Sequence, residues 1–205
     1  GYHSLFDNYN NDFSYSFILD EPAEKKKLIC TNPISAGTGY NIRYPILKYF
    51  SENFNELDIY CNCKKYNNLK GIIPLAKNRK TNTITDLSIE KVNLFKEYKF
   101  ILVIKNNFSF GSVTEKLIDS LTCLSVPIYF GSIEIKRLLP DLFNNGVIDG
   151  SSYNLDILIK LIKNMSEHEY QQRLATIKKY REKYFKYFSF EGEFEFIYEF
   201  ISSSL

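Results

Sequence analysis

The sequence contains no tryptophan, one methionine and two histidines, His3 and His168. A histidine-rich metal centre is nearly excluded by that count, because such sites draw several imidazoles together. Four cysteines, Cys30, Cys61, Cys63 and Cys123, among 205 residues are too few and too scattered for a disulfide framework. Cys61-Asn62-Cys63 is one residue short of a CxxC, and no histidine follows at zinc spacing. All four thiols are expected to be reduced and structural, which points to a cytosolic setting. An excess of one charge is also missing. Lys+Arg 26 against Asp+Glu 24 gives +2, too balanced for a protein that grips nucleic acid through bulk charge. No apolar stretch reaches the roughly 18 residues of a membrane span. The opening Gly1-Tyr2-His3 has neither an initiator Met nor a signal-peptide pattern, as an excised piece would not.

What is present reads as a globular α/β domain. The chain is 44% hydrophobic and 24% charged, which rules out intrinsic disorder and a fibrous design. Residues 1–25 are rich in Asn, Asp and aromatics, with one strand expected at Tyr15–Leu19; they read as an N-terminal extension or interdomain connector. From Lys26 the pattern turns regular. Leu28-Ile29-Cys30 is a short apolar run that ends in Asn32-Pro33 and a Gly37-Thr38-Gly39 loop, the way a buried parallel strand ends. Ile42, Ile46, Leu47, Tyr49 and Phe50 have helical spacing, with Pro45 tolerable only in the first turn. Leu57–Tyr60 is a second strand, so residues 26–62 form a βαβ unit.

Further strands are expected at Phe100–Ile104, Val126–Phe130 and Val147–Asp149. Helices are expected at Ser88–Tyr98, Val113–Leu124, Ile133–Leu139 and Leu155–Met165. Beyond Ser166 the periodicity is purely helical: Tyr170, Leu174, Ile177, Tyr184 and Phe188 share a stripe, and the basic run 178–183 is assigned to the wet face. Residues 26–190 are read as one Rossmann-like, doubly wound domain with a mostly parallel sheet, and 191–205 as a C-terminal helix folding back on it.

The segment Tyr98–Ser132 carries the chemistry. It runs strand, polar loop, helix, strand, Gly turn, and open α/β sheets bind ligands at the carboxyl ends of their strands. Asn106, Asn107, Ser112, Thr114, Glu115 and Lys116 fall at such an edge. The helix start near Val113 offers unpaired N–H groups and a partial positive charge to a phosphate, and Lys116 adds a full one. Glu115 suits sugar hydroxyls. Read alone, Thr114-Glu115-Lys116 is equally an ordinary helix start.

In order, Tyr98-Lys99-Phe100, Ile104–Asn107, Gly111–Leu117 and Val126–Ser132 resemble the donor-site signature of the α1,3-fucosyltransferases, glycosyltransferase family 10. That signature reads Y-K-F, an apolar strand, F-E-N-S, G-Y-V-T-E-K-I, a helix and V-P-I-Y-x-G-S. Upstream, Cys30-Thr31-Asn32-Pro33 and Arg43-Tyr44-Pro45 resemble its S-N-P and R-N-A-L-Y stretch; downstream, Val147-Ile148-Asp149 and Asn154-Leu155-Asp156 resemble its F-I-x-V and N-L-D-E stretch. The resemblance spans about 160 residues, Lys27 to Phe188.

It implies the donor half of a GT-B glycosyltransferase that transfers a sugar, fucose from GDP-fucose as the first expectation, to a glycan acceptor by inverting single displacement. No metal or other cofactor is implied. Arg43 and Lys116 would hold the diphosphate and Glu115 the ribose or sugar. Asn32, Asn106, Asn107, Ser112, Val113, Thr114 and Tyr129 would line the donor pocket. The family's acceptor domain and general base would lie N-terminal to the matched region.

Two positions depart from the signature: its F-E-N-S glutamate is Lys105 and its G-Y aromatic is Ser112. They leave open a non-catalytic nucleotide-binding module, or a transferase of another UDP- or GDP-hexose. The sequon at Asn107 would set a glycan in the donor pocket, which favours the cytoplasm; a Golgi setting would need an N-terminal anchor.

Overall fold

A computed structural model describes residues 25, 27–31, 34, 39–74, 93–106 and 115–184. The strand expected at Tyr15–Leu19, the loop 35–38, the first part (88–92) of the helix expected at 88–98 and the C-terminal helix lie outside these residues. Among the described residues, six strands form one sheet: β1 (Lys27–Thr31), β2 (Leu57–Tyr60), β3 (Ile72–Ile73), β4 (Tyr98–Ile104), β5 (Val126–Phe130) and β6 (Ile148–Asp149). Their spatial order is β3-β2-β1-β4-β5-β6 and every pairing is parallel. The chain therefore winds outward from β1 to β3, returns to the centre at β4, and winds outward again on the other side. This is the doubly wound nucleotide-binding order.

β5 is buried at every position and β4 at all but Lys99, as central parallel strands covered on both faces must be. Helix α1 (Tyr40–Asn53) packs with α5 (Leu155–Asn164), while α2 (Glu115–Thr122) and α4 (Pro140–Asn145) pack with α6 (Glu167–Tyr184). No helix among the described residues is long and apolar enough to cross a membrane.

Several boundaries differ from the expectation. The helix expected over 133–139 is α3 (Glu134–Leu138), and a further helix not expected from the sequence, α4, follows it directly. Pro140 has no N–H to continue the first, and its fixed φ suits the first position of the next. Pro45 sits in the second turn of α1 rather than the first. The missing N–H there costs the helix only the bond to the Asn41 carbonyl, close to its start. β4 begins at Tyr98, because Tyr98 pairs in register with Lys27. Its buried hydroxyl donates to Asp58 and shares a 2.8 Å hydrogen bond with the Tyr60 hydroxyl.

At the amino-terminal end of the sheet, Lys25 acts as a three-way clip. Its Nζ donates to the Lys96 carbonyl (3.2 Å), the Cys123 carbonyl (3.1 Å) and Ser125 Oγ (3.0 Å). Ser125 Oγ lies 3.0 Å from the Phe95 carbonyl and 2.9 Å from that of Tyr98. The start of β1 is thereby fastened to the turn before β4 and the connection into β5.

Candidate functional site

The winding direction reverses between β1 and β4. In open α/β sheets such a reversal leaves a crevice at the strands' carboxyl ends. A small open recess occupies this place, lined by Thr31, Ile34, Arg43, Leu47, Leu102, Ile104 and Lys116. Thr31 ends β1 and Ile104 ends β4, so its floor is the switch point itself.

Arg43 reaches it from the first turn of α1. Its backbone N–H bonds the Gly39 carbonyl at 2.9 Å, and its Nε donates to the Ile104 carbonyl at 3.4 Å. The residue is only 7% exposed. Burial pushes the Tyr66 phenol and the Cys61 thiol up, and the nearby Arg43 charge opposes both rises.

Gly39 sets this placement. It has φ +72°, and a Cβ there would lie 2.7 Å from Asn106 Cα and 2.8 Å from the Asn106 carbonyl oxygen. Only glycine meets both demands, the left-handed conformation and the backbone contact. The start of α1 thus rests directly on the loop after β4, with Arg43 above Ile104.

Lys116 reaches the same recess from the opposite side, as the second residue of α2. Two cations far apart in sequence therefore meet at one concavity. Like charges facing each other repel, and an anion set between them reverses the sign of that interaction. The helix beginning at Glu115 adds the positive end of its dipole.

The remaining residues named from sequence fall variously. Asn106 lies two residues past β4, and its Oδ1 is buried without a hydrogen-bond partner. Tyr129 is 1% exposed and pairs in register with Val103, so it leaves the sheet on the face opposite Ile104. Its ring packs edge-on against Phe143, with centroids 5.4 Å apart, and it does not line the recess. Asn32, Asn107, Ser112, Val113 and Thr114 lie outside the described residues.

Lys105, where the resemblance expects a glutamate, is only 1% exposed and not among the lining residues. A Cβ at Gly131 would stand 2.7 Å from the Lys105 Cδ, so that glycine makes room for the lysine stem. Sequence reasoning missed Thr31, Ile34 and Leu47 as lining residues. Thr31 carried a usable signal, being the polar end of an apolar strand.

No family model matches the chain. It is 34% identical over 168 residues to a protein of Acanthamoeba polyphaga mimivirus named "Putative fucosyltransferase R654", covering 74% of this chain and 27% of that one. It is 33% identical over 106 residues to the alpha-(1,3)-fucosyltransferase FucT of Helicobacter pylori, covering 51% of this chain and 22% of FucT. The alpha-(1,4)-fucosyltransferase of Arabidopsis thaliana is 38% identical over 71 residues, 34% of this chain and 17% of its own. The chain thus spans about a quarter or less of the curated relatives it matches. A solved alpha1,3-fucosyltransferase with GDP-fucose superposes at TM-score 0.53 and 21% identity, over 78% of this chain and 41% of that one. The same enzyme type with GDP gives 0.52 and 22%, over 78% and 41%. By sequence and by fold, the chain is fucosyltransferase-like, resembling one part of these longer proteins.

Proposed function

We propose that this chain is the donor-binding part of a fucosyltransferase-type glycosyltransferase, with GDP-fucose as donor and a glycan as acceptor. The observation that carries the reading is the meeting of Arg43 and Lys116 in one recess at the switch point of the sheet. In the proposed reaction an acceptor hydroxyl attacks the sugar C1 as the bond from C1 to the diphosphate oxygen breaks. The electron pair of that bond stays on the diphosphate. The hydroxyl proton passes to a base that the residues assigned here do not include.

Negative charge grows on the leaving diphosphate, between the Arg43 guanidinium and the Lys116 ammonium. Fixed cations aimed at charge that develops in the transition state lower the barrier more than they tighten ground-state binding. Glu115, Asn32, Asn106, Asn107, Ser112, Val113 and Thr114 are the further donor-site assignments, taken from the resemblance; Tyr129, packed against Phe143 away from the recess, is withdrawn from them. The buried position of Lys105 supports the catalytic reading, because its reversed charge is not presented to the recess. The proposal takes residues 26–190 as the nucleotide-sugar domain, flanked by a connector over 1–25 and a returning helix over 191–205. The four thiols, none of them in a disulfide, support a reducing, cytosolic compartment.

A melting screen with GDP, UDP, ADP and their sugars tests this. A ligand at 100 times its dissociation constant adds about 2.7 kcal/mol, which for a chain of this length raises Tm by roughly 5–11 °C. GDP and GDP-fucose are expected to give that shift. A flat response to every nucleotide would rule out the donor-binding role.

A further inference from the structure

Buried polar atoms almost always find a partner, and each one that does not needs an explanation. Ser132 is 5% exposed, and its Oγ is buried without a partner. The Asn106 Oδ1 is in the same condition. Register brings the two together. Ile104 of β4 pairs with Phe130 of β5, so Asn106 and Ser132 each stand two residues beyond the same paired position, just past the ends of two adjacent strands. The backbone between them is still tied, the Lys105 N–H bonding the Phe130 carbonyl at 3.0 Å. Both orphan atoms thus sit at the carboxyl rim of the sheet, beside the recess whose wall includes Ile104.

A buried orphan hydroxyl elsewhere shows why position matters. Tyr170 also has one, but its ring packs on Phe100, which pairs in register with Ile29 well below the rim. It stands away from the carboxyl rim of the sheet.

The geometry points to Ser132 as a donor-positioning residue: together with Asn106 it binds the nucleoside or sugar part of the nucleotide-sugar, and not its phosphates. The chemistry of the pair makes that choice. An amide oxygen only accepts hydrogen bonds, and so do diphosphate oxygens at neutral pH. Asn106 Oδ1 therefore needs a donor, which the ribose and sugar hydroxyls and the guanine N–H groups offer and the diphosphate does not. Ser132 Oγ can accept from such a donor, and can also donate to a hydroxyl. Arg43 and Lys116 would hold the phosphates while the two orphan atoms orient the nucleoside or sugar alongside. The inference rests on the donor-binding reading above.

Ser132→Ala separates it from a structural role, with binding of inorganic pyrophosphate, GDP and GDP-fucose measured by calorimetry and melting of the unliganded protein alongside. Removing an unsatisfied buried hydroxyl leaves the free protein as stable or more so, so its Tm should hold or rise. Affinity for GDP-fucose should fall about 3- to 10-fold, the worth of one neutral hydrogen bond, while pyrophosphate affinity stays unchanged. A matching loss with GDP places the contact on the nucleoside; a loss confined to GDP-fucose places it on the transferred sugar. Unchanged GDP-fucose affinity, an equal loss for pyrophosphate, or a lowered Tm would each overturn the assignment. Should the unsubstituted protein bind neither pyrophosphate nor nucleotide, the donor-binding reading fails first and takes this inference with it.

Discussion

Arg43 and Lys116 hold their charges in different ways. Arg43 is nearly fully buried and anchored through Nε to the Ile104 carbonyl, so its fork is aimed before any ligand arrives. Lys116 enters from a helix start as a compact point charge on a flexible stem. Lys116→Ala should lower turnover about 100-fold or more, by analogy with the loss of one oxyanion donor in a dry site at about 2.7–4 kcal/mol. GDP release from GDP-fucose measures it, and a near-normal rate would remove Lys116 from the diphosphate. Arg43→Lys keeps the charge and loses the fork, and should weaken GDP-fucose binding about 10-fold with little change in Tm. Lys116 was legible as the cation of a helix start at the sheet's carboxyl edge, Arg43 only through the resemblance, since the sheet's reversal is what brings the two together. Lys105 and Ser132 were not legible. A lysine in a polar loop reads as solvated until Gly131 is seen to make room for it. A serine after a Gly turn gives no sign that its hydroxyl will be stranded.

At the scale of elements, apolar runs located the central strands because burial on both faces leaves no room for polar alternation. The long terminal helix exposes the limit of periodicity. Its basic run was assigned to solvent, yet Arg181 is only 4% exposed. It follows Ile177 by four residues and so continues the buried stripe of Tyr170 and Ile177. Its Nη1 donates to the Thr122 carbonyl at 3.2 Å, at the end of α2. That end already closes on itself: the Ser125 N–H bonds the Ser120 carbonyl and the Leu124 N–H bonds the Leu121 carbonyl, with Leu124 at φ 51°. Arg181 supplies the partner for one more terminal carbonyl, a need that lies in another element and cannot be read from α6. Arg181→Met keeps the stem and abandons Thr122, and should cost about 1–3 kcal/mol. Urea titration would register it as a lower midpoint at unchanged slope. An unaltered midpoint would mean the cap contributes nothing.

For the whole molecule, the Lys25 clip couples stability to alkaline pH. Burial is the main cause that lowers its pKa from 10.5 to about 8; the thiols of Cys123 and Cys30 act the other way, and Lys96 assists the fall. Between about 8 and 10.5 the unfolded chain holds a proton that the folded chain has released, so stability rises with pH across that window. The full span corresponds to about 3 kcal/mol. Other buried groups oppose it. Burial pushes the Cys30 thiol and the Tyr98 and Tyr170 phenols up. They keep protons that the unfolded chain loses, so their contributions decline above the ordinary thiol and phenol values. A single stability profile would blur the two trends, whereas the difference between the protein and Lys25→Met isolates the first, since both retain the same thiols and phenols. Unfolding free energies at pH 7.5, 9 and 10.5 should show the unsubstituted protein gaining on the variant by about 3 kcal/mol in total. A flat difference would mean that the three acceptors around Nζ hold the ammonium as well as water does, and that Lys25 is buried at no electrostatic cost.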